Sequence, residues 1–288
     1  MSRILWRANT SVFLLLATIL MAAILTAACR PITATPPAQN AQAAAHVQAP
    51  ATDTDPHRIL FLGDYFTSQN LGIASHTAAL AAAVASPVEV DQVTVDIESG
   101  LQNLWDTTDA PKQVRAGWDV VVLEQDLANM KDPVIFQRYA ANFISTSDAA
   151  GARTVLFMPW EYDIKLKAHP IDEIARVCGE IGAKQGVEVA PVGLAWQRAH
   201  QERPFPNLYL ADGINSSIYG TYLTACVLYA TIYNRDPSGL AYRPADLFPD
   251  ASPIIKDLVR QWPKLTDDEA AFLQRIAWET VRDYKAGQ

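Results

Sequence analysis

Short apolar runs alternate with longer amphipathic segments along the chain from His57 onward. The runs are residues 58–62, 88–95, 120–123, 154–158 and 187–191. The helix-like segments between them are residues 74–85, 110–116, 133–149 and 172–185. Strands that are apolar on both faces must be covered on both sides, and their alternation with helices is typical of a parallel sheet. The sequence therefore predicts an α/β fold, a three-layer α/β/α sandwich around a parallel sheet.

Two further helices are predicted in the C-terminal part of the chain, at residues 216–232 and 266–284. The second begins with Thr266 followed three residues later by Glu269, which is the pattern of a capping box. Between these helices, residues 236–263 contain five prolines and predict an irregular strap across the surface. We find no internal repeat, so residues 57–288 are predicted to form one domain.

The composition excludes several classes of protein. Half of the 288 residues are hydrophobic and 19% are charged, which predicts a folded core rather than a disordered chain. The formal net charge of −8 leaves no basic field to bind phosphates, so nucleic acid is not expected as a partner. Three cysteines, Cys29, Cys178 and Cys226, are too few for a disulfide framework or a four-ligand zinc site. We expect no metal and no cofactor.

The first 28 residues have the three parts of a secretory signal. Arg3 and Arg7 precede an apolar run at residues 12–28, which ends in small residues directly before Cys29. A cysteine that follows two alanines resembles the lipobox of bacterial lipoproteins, which implies acylation of Cys29. Two alternatives stay open, an uncleaved membrane anchor and a fully released protein. The anchor is possible because 17 apolar residues lie near the short limit for a transmembrane helix. All three place the folded part outside the cytoplasm.

Residues 29–56 are rich in Pro, Ala, Thr and Gln and have no apolar period, so they predict a disordered linker. A flexible chain of this length has a root-mean-square span of roughly 30 Å, enough to lift a domain off a membrane. Because an anionic membrane surface repels an acidic domain, a covalent lipid is the expected tether. The predicted partner is therefore the bacterial cell membrane, reached through the N-terminal lipid anchor.

The loop after the first predicted strand carries the first sign of a family. In open parallel sheets, ligands bind beyond the carboxyl ends of the strands. Residues 59–64, Ile-Leu-Phe-Leu-Gly-Asp, with Phe66 and Thr67, resemble the first block of the SGNH/GDSL hydrolases, secreted esterases in which Gly-Asp precedes the nucleophilic serine. The resemblance implies the SGNH-hydrolase-like, flavodoxin-like form of the sandwich. The serine position is occupied by Tyr65.

A second block near the C-terminus resembles the same family. Asp212 and Asn215 have the spacing of the family's Asp-x-x-His, and the sequence Gly-Thr-Tyr-Leu at residues 220–223 matches the helix that follows. By this resemblance Asp212 corresponds to the aspartate that orients the catalytic imidazole, and Asn215 stands where the histidine would be. The resemblance spans about residues 58–240 of the chain.

Two intermediate stretches, residues 118–125 and 154–160, resemble the family's third and fourth strands. In the family, a glycine after the second strand and an asparagine after the third help to bind the oxyanion. Gly100 is the candidate for the glycine. Glu124-Gln125-Asp126 follows the third strand, and Asn129 is a displaced candidate for the asparagine. The candidate pocket residues are Asp64, Gly100, Glu124 and Trp160.

The residues at positions 65 and 215 decide the expected chemistry. Serine attack needs a hydroxyl whose proton passes to an imidazole held by a carboxylate. An asparagine amide cannot accept that proton. A phenol, with an ordinary pKa near 10, attacks only when a base or cation activates it. We therefore do not expect Tyr65, Asp212 and Asn215 to hydrolyse esters by the family's mechanism.

Other side chains offer alternatives, each with a plain structural interpretation. Ser68 is a candidate relocated nucleophile or a turn residue, and His76 and His169 are candidate pocket residues or hydrogen-bonded structural histidines. Acidic residues after the third and fourth strands would form a carboxylate pair or a cation site, or would be solvated loop acids; they are Glu124, Asp126, Glu161 and Asp163. Three aromatic residues would line a pocket or fill the core; they are Trp160, Tyr162 and Trp196.

These observations predict an extracytoplasmic, lipid-anchored SGNH-hydrolase-like protein that lacks catalysis. Such a protein would act as a binding or accessory module at the cell envelope, with a small molecule or a glycan as its ligand. One alternative is an active esterase or acyl hydrolase that uses a relocated nucleophile on carbohydrate or lipid esters. Another alternative is a structural envelope protein that contacts partners through its proline-rich strap.

Overall fold

The computed structural model of the chain describes residues 55–83, 88–94, 100–127, 130, 132–164, 169–246 and 253–288. The predicted signal segment, Cys29 and most of the predicted linker lie outside these ranges, as does Asn129. Within the described ranges, no helix combines the length and the apolar character needed to cross a bilayer.

Five parallel strands form the single described sheet, in the spatial order β2-β1-β3-β4-β5. The strands are β1 (Arg58–Gly63), β2 (Glu89–Thr94), β3 (Val120–Glu124), β4 (Arg153–Phe157) and β5 (Glu188–Ala190). Strand β1 pairs with β2 on one side and with β3 on the other, with Leu60 opposite both Asp91 and Val121. This order is the flavodoxin-like one, so the predicted fold class is confirmed.

Ten α-helices lie in the described ranges. They are α1 (Tyr65–Ser68), α2 (Ile73–Ala82), α3 (Gly100–Thr107), α4 (Ala110–Gln113), α5 (Pro133–Ala149), α6 (Ile171–Gln185), α7 (Val192–Glu202), α8 (Ile218–Tyr233), α9 (Pro253–Arg260) and α10 (Asp267–Ala286). Two apolar clusters separate them into layers. Helices α2, α7, α8 and α10 cover one face of the sheet, and α3 to α6 cover the other.

Alternation along the central strands explains both layers. In β1, Ile59 and Phe61 belong to one cluster while Leu60 and Leu62 belong to the other, and all four are at most 1% exposed. Successive side chains of a strand point to opposite faces, so a strand with no polar alternate residues must be covered on both sides. The uninterrupted apolar runs in the sequence therefore produce the three-layer arrangement.

Three parts of the element prediction need correction. The proline-rich strap is not wholly irregular, because it contains the 3-10 turn Pro244–Asp246 and the helix α9. Pro253 starts α9, and proline suits the first turn of a helix because its missing N–H would have no partner there. Helices α3 and α7 were not predicted, and the segment predicted at residues 110–116 divides into α4 and the 3-10 turn Val114–Ala116.

Candidate active site

The site lies where the strand order reverses. Strand β1 is followed in sequence by β2 on one side of it, and β3 then lies on its other side. The connections therefore leave the carboxyl ends of β1 and β3 in opposite directions, which opens a crevice between them. Asp64 directly follows β1, and Glu124 is the last residue of β3.

A single turn of helix presents Tyr65 at this crevice. Asp64 caps helix α1, because its Oδ1 accepts a hydrogen bond of 2.7 Å from the Phe66 N–H. Tyr65 is the first residue of α1 and is 47% exposed, whereas Phe66 is buried against Trp160. The hydroxyl of Ser68 donates to the Tyr65 carbonyl at 3.0 Å. Ser68 therefore closes the turn of α1, as its structural interpretation predicts.

The second family block forms a tight loop around Asp212. Asp212 Oδ1 accepts hydrogen bonds from the backbone N–H groups of Ile214 and Asn215, both at 2.8 Å. Its Oδ2 accepts from the side-chain amide of Asn215 at 2.7 Å. Partial burial opposes ionisation, but these hydrogen bonds outweigh it and lower the pKa of Asp212. The Asn215 amide thus donates to Asp212 in the way that an imidazole N–H donates to the aspartate that orients it.

Gln69 joins the two loops. Its Nε2 donates to Asn215 Oδ1 at 2.9 Å, and its Oε1 accepts from the Ser216 N–H at 2.7 Å. Beside it, the Asn70 amide donates to the Ser216 carbonyl at 3.1 Å and to the Thr221 hydroxyl at 2.7 Å. The two blocks of the sequence, more than 140 residues apart, therefore meet in one place. Both ends of the Asn215 amide group are occupied, one by Asp212 and the other by Gln69.

Replacing Gln69 by alanine is expected to lower the free energy of unfolding by about 2 kcal/mol, because it leaves the buried Ser216 N–H without its acceptor. Chemical denaturation of the purified variant measures this loss. The matched control is Gln113→Ala, whose side-chain amide donates to the exposed Asp109 at 2.9 Å, and we expect a change within about 0.5 kcal/mol. Equal effects of the two substitutions would contradict the bridging role of Gln69.

Two acidic side chains are buried beneath the loop that carries Tyr65. Asp64 and Glu124 are each 1% exposed. The Thr67 hydroxyl and the Asp64 N–H donate to Glu124 Oε2, the latter at 3.4 Å. The other oxygen of each group, Asp64 Oδ2 and Glu124 Oε1, has no hydrogen-bond partner among the described residues. Both carboxyl groups are therefore closed off from the surface and incompletely hydrogen-bonded.

The same burial changes their ionisation. Desolvation raises the pKa of Asp64 to about 7; the charge of Asp126 adds to this effect, and the hydrogen bond from Phe66 opposes it. Desolvation, followed by the charge of Asp64, raises the pKa of Glu124 well above its ordinary value. At neutral pH the pair therefore retains protons that free carboxyl groups would have lost.

Gly100, the candidate for the oxyanion glycine, lies against the loop after β3, whereas Asn129, the candidate for the asparagine, lies outside the described residues. A Cβ on Gly100 would lie 2.5 Å from Asp126 Oδ2 and 2.7 Å from Gln125 Nε2, and the φ of Gly100 is +53°, so the position requires glycine. Gln125 Oε1 accepts a hydrogen bond from the Leu101 N–H at 3.0 Å. The structure thus brings Gly100 against the loop after β3, where it meets the amide of Gln125 and the carboxyl group of Asp126. A carboxylate repels an oxyanion that an asparagine amide would stabilise.

The aromatic candidates belong to the core. Trp160 is fully buried and stacks on Trp196, with ring centroids 4.2 Å apart and an interplanar angle of 3°. Its indole N–H donates to the Ile214 carbonyl at 3.0 Å. The prediction that Trp160 lines a pocket is not supported, because its ring has no exposed surface to offer a ligand. Its hydrogen bond to Ile214 instead supports the Asp212 loop. Tyr162 is half-buried and packs edge-on against Phe66.

None of the described histidines takes the place of the missing base. His76 is fully buried, with Nδ1 at 2.6 Å from the Tyr242 hydroxyl and Nε2 at 2.8 Å from the Asn70 carbonyl. Burial lowers its pKa to about 4, so it is a neutral structural histidine. His169 lies 4.0 Å from Glu173 at the start of α6. His200, which the sequence did not indicate, stacks on Tyr209. Among the described residues, no imidazole is hydrogen-bonded to a serine or threonine hydroxyl.

The loop acids after β4 have their own structural roles. Glu161 Oε2 accepts from the Ile171 N–H at 2.8 Å and so supports the start of α6. The Asp163 N–H donates to the Gly213 carbonyl at 2.7 Å, which ties this loop to that of Asp212. Within the described ranges, no three His, Cys, Asp or Glu side chains are arranged to hold a metal ion.

A cavity of about 880 Å³ lies at the opposite, amino-terminal end of the strands. Its lining includes Asp55, Arg153, Glu188 and Lys285. Arg153 and Lys285 both pair with Glu188, the latter at 3.0 Å. The cavity lies at the other end of the strands from the loops that hold Tyr65 and Asn215.

No protein-family model and no curated protein matches the chain. Solved structures do match it. A protein from Slackia heliotrinireducens assigned as an SGNH hydrolase is 24% identical over 62% of this chain and all of its own length, with a TM-score of 0.51. A DUF4886 family protein from Bacteroides uniformis is 14% identical over 78% of this chain and 94% of its own, with a TM-score of 0.55. An acetyl-xylooligosaccharide esterase from Geobacillus is 15% identical over 62% of this chain and 94% of its own, with a TM-score of 0.50.

These similarities establish the fold. The chain has the SGNH-hydrolase-like α/β architecture, as the sequence blocks at residues 59–67 and 208–223 predict. Identities below 25% carry no activity from one protein to another. The function must therefore be argued from the side chains at the site.

Proposed function

We propose that this protein is an SGNH-hydrolase-like binding or accessory module, tethered outside the cytoplasm by a lipid on Cys29, that does not hydrolyse esters by the serine-histidine mechanism. The observation that carries the proposal is the position of Asn215, whose amide is held between Asp212 and Gln69. A side chain fixed in this way by two hydrogen bonds occupies the place of a general base and cannot accept a proton. The site keeps the framework of an esterase and loses its proton transfer.

Two further features support the absence of turnover. Tyr65 replaces the nucleophile, and a phenol needs a base or a cation beside it to attack an ester. Asp126 meets Gly100 where an oxyanion would be stabilised, and its acidic side chain opposes the charge that develops there. Loss of one oxyanion donor alone costs about 10²–10³ in rate, in addition to the loss of the base. The three changes act against the same reaction.

The ligand proposed for this module is a small molecule or a glycan. The half-exposed ring of Tyr65 offers an aromatic face, and Gln69, four residues later, hydrogen-bonds to Asn215 in the Asp212 loop. One of the similar structures is an acetyl-xylooligosaccharide esterase, which is consistent with a glycan. A binding role at the cell envelope follows from the proposed tether.

The proposal is tested by incubating the purified full chain with p-nitrophenyl acetate. We expect release of nitrophenol at the rate of buffer alone, with no labelling by a serine-directed phosphonate. Ser68→Ala should change neither result, because the Ser68 hydroxyl is bonded to the Tyr65 carbonyl. Turnover that Ser68→Ala abolishes would instead establish the alternative of a relocated nucleophile and overturn the proposal.

A further inference from the structure

Helix α1 is built on two buried carboxyl groups. Asp64 is its N-cap residue and accepts a backbone N–H of the helix at 2.7 Å, and Thr67 in the helix donates its hydroxyl to Glu124 Oε2. The two acids are also joined to each other, because the Asp64 N–H donates to Glu124 Oε2 at 3.4 Å. A Cβ on Gly63 would overlap the Thr67 hydroxyl and Glu124 Oε2, so no space is left between them. The pair of acids therefore holds α1 near both of its ends.

No positive charge balances this pair within the described part of the chain. Neither Asp64 nor Glu124 forms an ion pair with a described lysine, arginine or histidine. The charge that acts on both comes from a third acid, Asp126, which is also buried. The other titratable groups on β1, β2, α1, α2 and α3 are exposed or bonded elsewhere; they are Arg58, Tyr65, His76, Glu89, Asp91 and Asp106.

Ionisation of the pair changes the forces on α1. Asp64 Oδ2 and Glu124 Oε1 have no hydrogen-bond partner among the described residues, so no donor stabilises a negative charge at either atom. A second charge in the same space repels the first. The buried arrangement therefore suits protonated acids, whereas ionised acids gain from contact with water. Helix α1 is the part that can move to admit water, because it is a single turn, whereas β1 and β3 are paired on both sides.

Both ends of α1 contribute to the site. Tyr65 is its first residue and presents a half-exposed ring at the crevice. Gln69 follows its last residue, and the Gln69 N–H donates to the Tyr65 carbonyl. The side chain of Gln69 bonds Asn215 at 2.9 Å and the Ser216 N–H at 2.7 Å. Opening of α1 would therefore displace the ring of Tyr65 and break the bridge to the Asp212 loop together.

We propose that Asp64 and Glu124 form a proton-operated switch of the site, in which the protonated pair keeps α1 closed over it and the ionised pair opens α1. The switch goes beyond the proposed binding role, because it does not depend on which ligand the site accepts. In the open form the two acids are solvated and have ordinary pKa values near 4, whereas burial in the closed form raises the pKa of Asp64 to about 7. The opening equilibrium therefore rises with pH between about 4 and 7.

The test is amide hydrogen exchange of the purified full chain at pH 5 and pH 7, measured by NMR and corrected for the intrinsic effect of pH on exchange. The Phe66 N–H, bonded to Asp64, reports α1, and the Ser216 N–H, bonded to Gln69, reports the bridge. Buried amides of α10 are the internal reference for global opening. From pH 5 to pH 7 we expect exchange at Phe66 to accelerate at least about tenfold more than at α10, with Ser216 changing in the same direction.

Exchange at Phe66 that accelerates no more than at α10 would overturn the switch, and this outcome needs no variant to fold. A change at Phe66 without one at Ser216 would overturn the coupling to the second loop.

Two variants test the assignment to the pair. Glu124→Gln and Asp64→Asn each remove one proton-binding group and keep the size of the side chain, and asparagine serves as an N-cap as well as aspartate does. Each should reduce the acceleration at Phe66 by at least about threefold. Asp212→Asn is the matched control and should retain the full acceleration, because the pKa of Asp212 is lowered. If both variants of the pair also retain it, these two acids are not the switch.

Discussion

The free energy of unfolding is expected to fall as pH rises from 5 to 8, and the substitution Glu124→Gln is expected to make this fall smaller by at least about 2 kcal/mol. The reason is the burial of the Asp64 and Glu124 carboxyl groups, each with one oxygen that has no partner in the described part of the chain. Glutamine resembles the protonated acid in shape and carries no proton to lose. Denaturation by urea at several pH values measures the effect as a change in the free energy of unfolding.

The sign follows from the raised pKa values. In the unfolded chain Asp64 and Glu124 lose their protons near pH 4. In the folded protein the pKa of Asp64 is raised to about 7, and that of Glu124 is raised well above its ordinary value. Between these values the folded state binds more protons than the unfolded state, so stability falls as pH rises. For Asp64 alone, a rise from 3.8 to about 7 corresponds to on the order of 4 kcal/mol. The stability contributed by the protonated pair is fully present in acid and is lost through neutral pH.

The matched control for this prediction is Asp212→Asn. Asp212 lies at the same site but is exposed, and its pKa is lowered, so its contribution is lost only as pH falls below about 4. We therefore expect Asp212→Asn to leave the difference between pH 5 and pH 8 as it is in the unsubstituted chain. A Glu124→Gln variant with the original pH dependence would show that the buried pair is not the source of the effect.

The double substitution Tyr65→Ser with Asn215→His is expected to produce weak esterase activity that neither single substitution produces. An imidazole at position 215 would find the Asp212 carboxylate already placed, because Asp212 Oδ2 now accepts from the Asn215 amide. The members of a catalytic triad act as a unit, so one of them alone contributes little. Hydrolysis of p-nitrophenyl acetate by the three variants measures the outcome, with at least about tenfold more rate for the double variant.

The acidic side chain of Asp126 is expected to keep the rate of the double variant low. This side chain faces Gly100 in the region where the oxyanion would form. Adding Asp126→Asn to the double variant should therefore raise the rate again, by up to about 10², the usual effect of one oxyanion donor. Single variants as active as the pair would show that positions 65 and 215 do not have the roles assigned to them. Asp126→Asn in the unsubstituted chain is the control and should remain inactive.

The fold could be predicted because its determinants are local. Runs such as Val120-Val121-Val122-Leu123 permit only a strand covered on both faces, and Thr266 with Glu269 marks the start of α10, where the structure has the complete capping box. Helix α3 was missed because it begins at Gly100, a residue that sequence rules place at helix ends rather than starts. Helix α7 was missed because it follows β5 after a single proline, with no separating turn signal.

The site could be predicted only in part. The family blocks identify Tyr65, Asp212 and Asn215 because each has a fixed position in a short motif. Gln69 carries no such signal, since its role arises from contact with a loop more than 140 residues away. The burial of Glu124 and the approach of Asp126 to Gly100 likewise depend on how β1, β3 and α3 meet. Contacts of this kind are set by tertiary packing, which residue type and spacing do not encode.

The stacked indoles of Trp160 and Trp196 give the protein a built-in optical reporter. Two aromatic chromophores with centroids 4.2 Å apart and parallel planes share their excited states, so their spectrum differs from that of two separate tryptophans. Trp160 stands just beyond β4, and Trp196 lies on α7. A change in the near-ultraviolet circular dichroism of this pair would therefore report movement of α7 away from Trp160, which hydrogen-bonds to the Asp212 loop. No label need be attached.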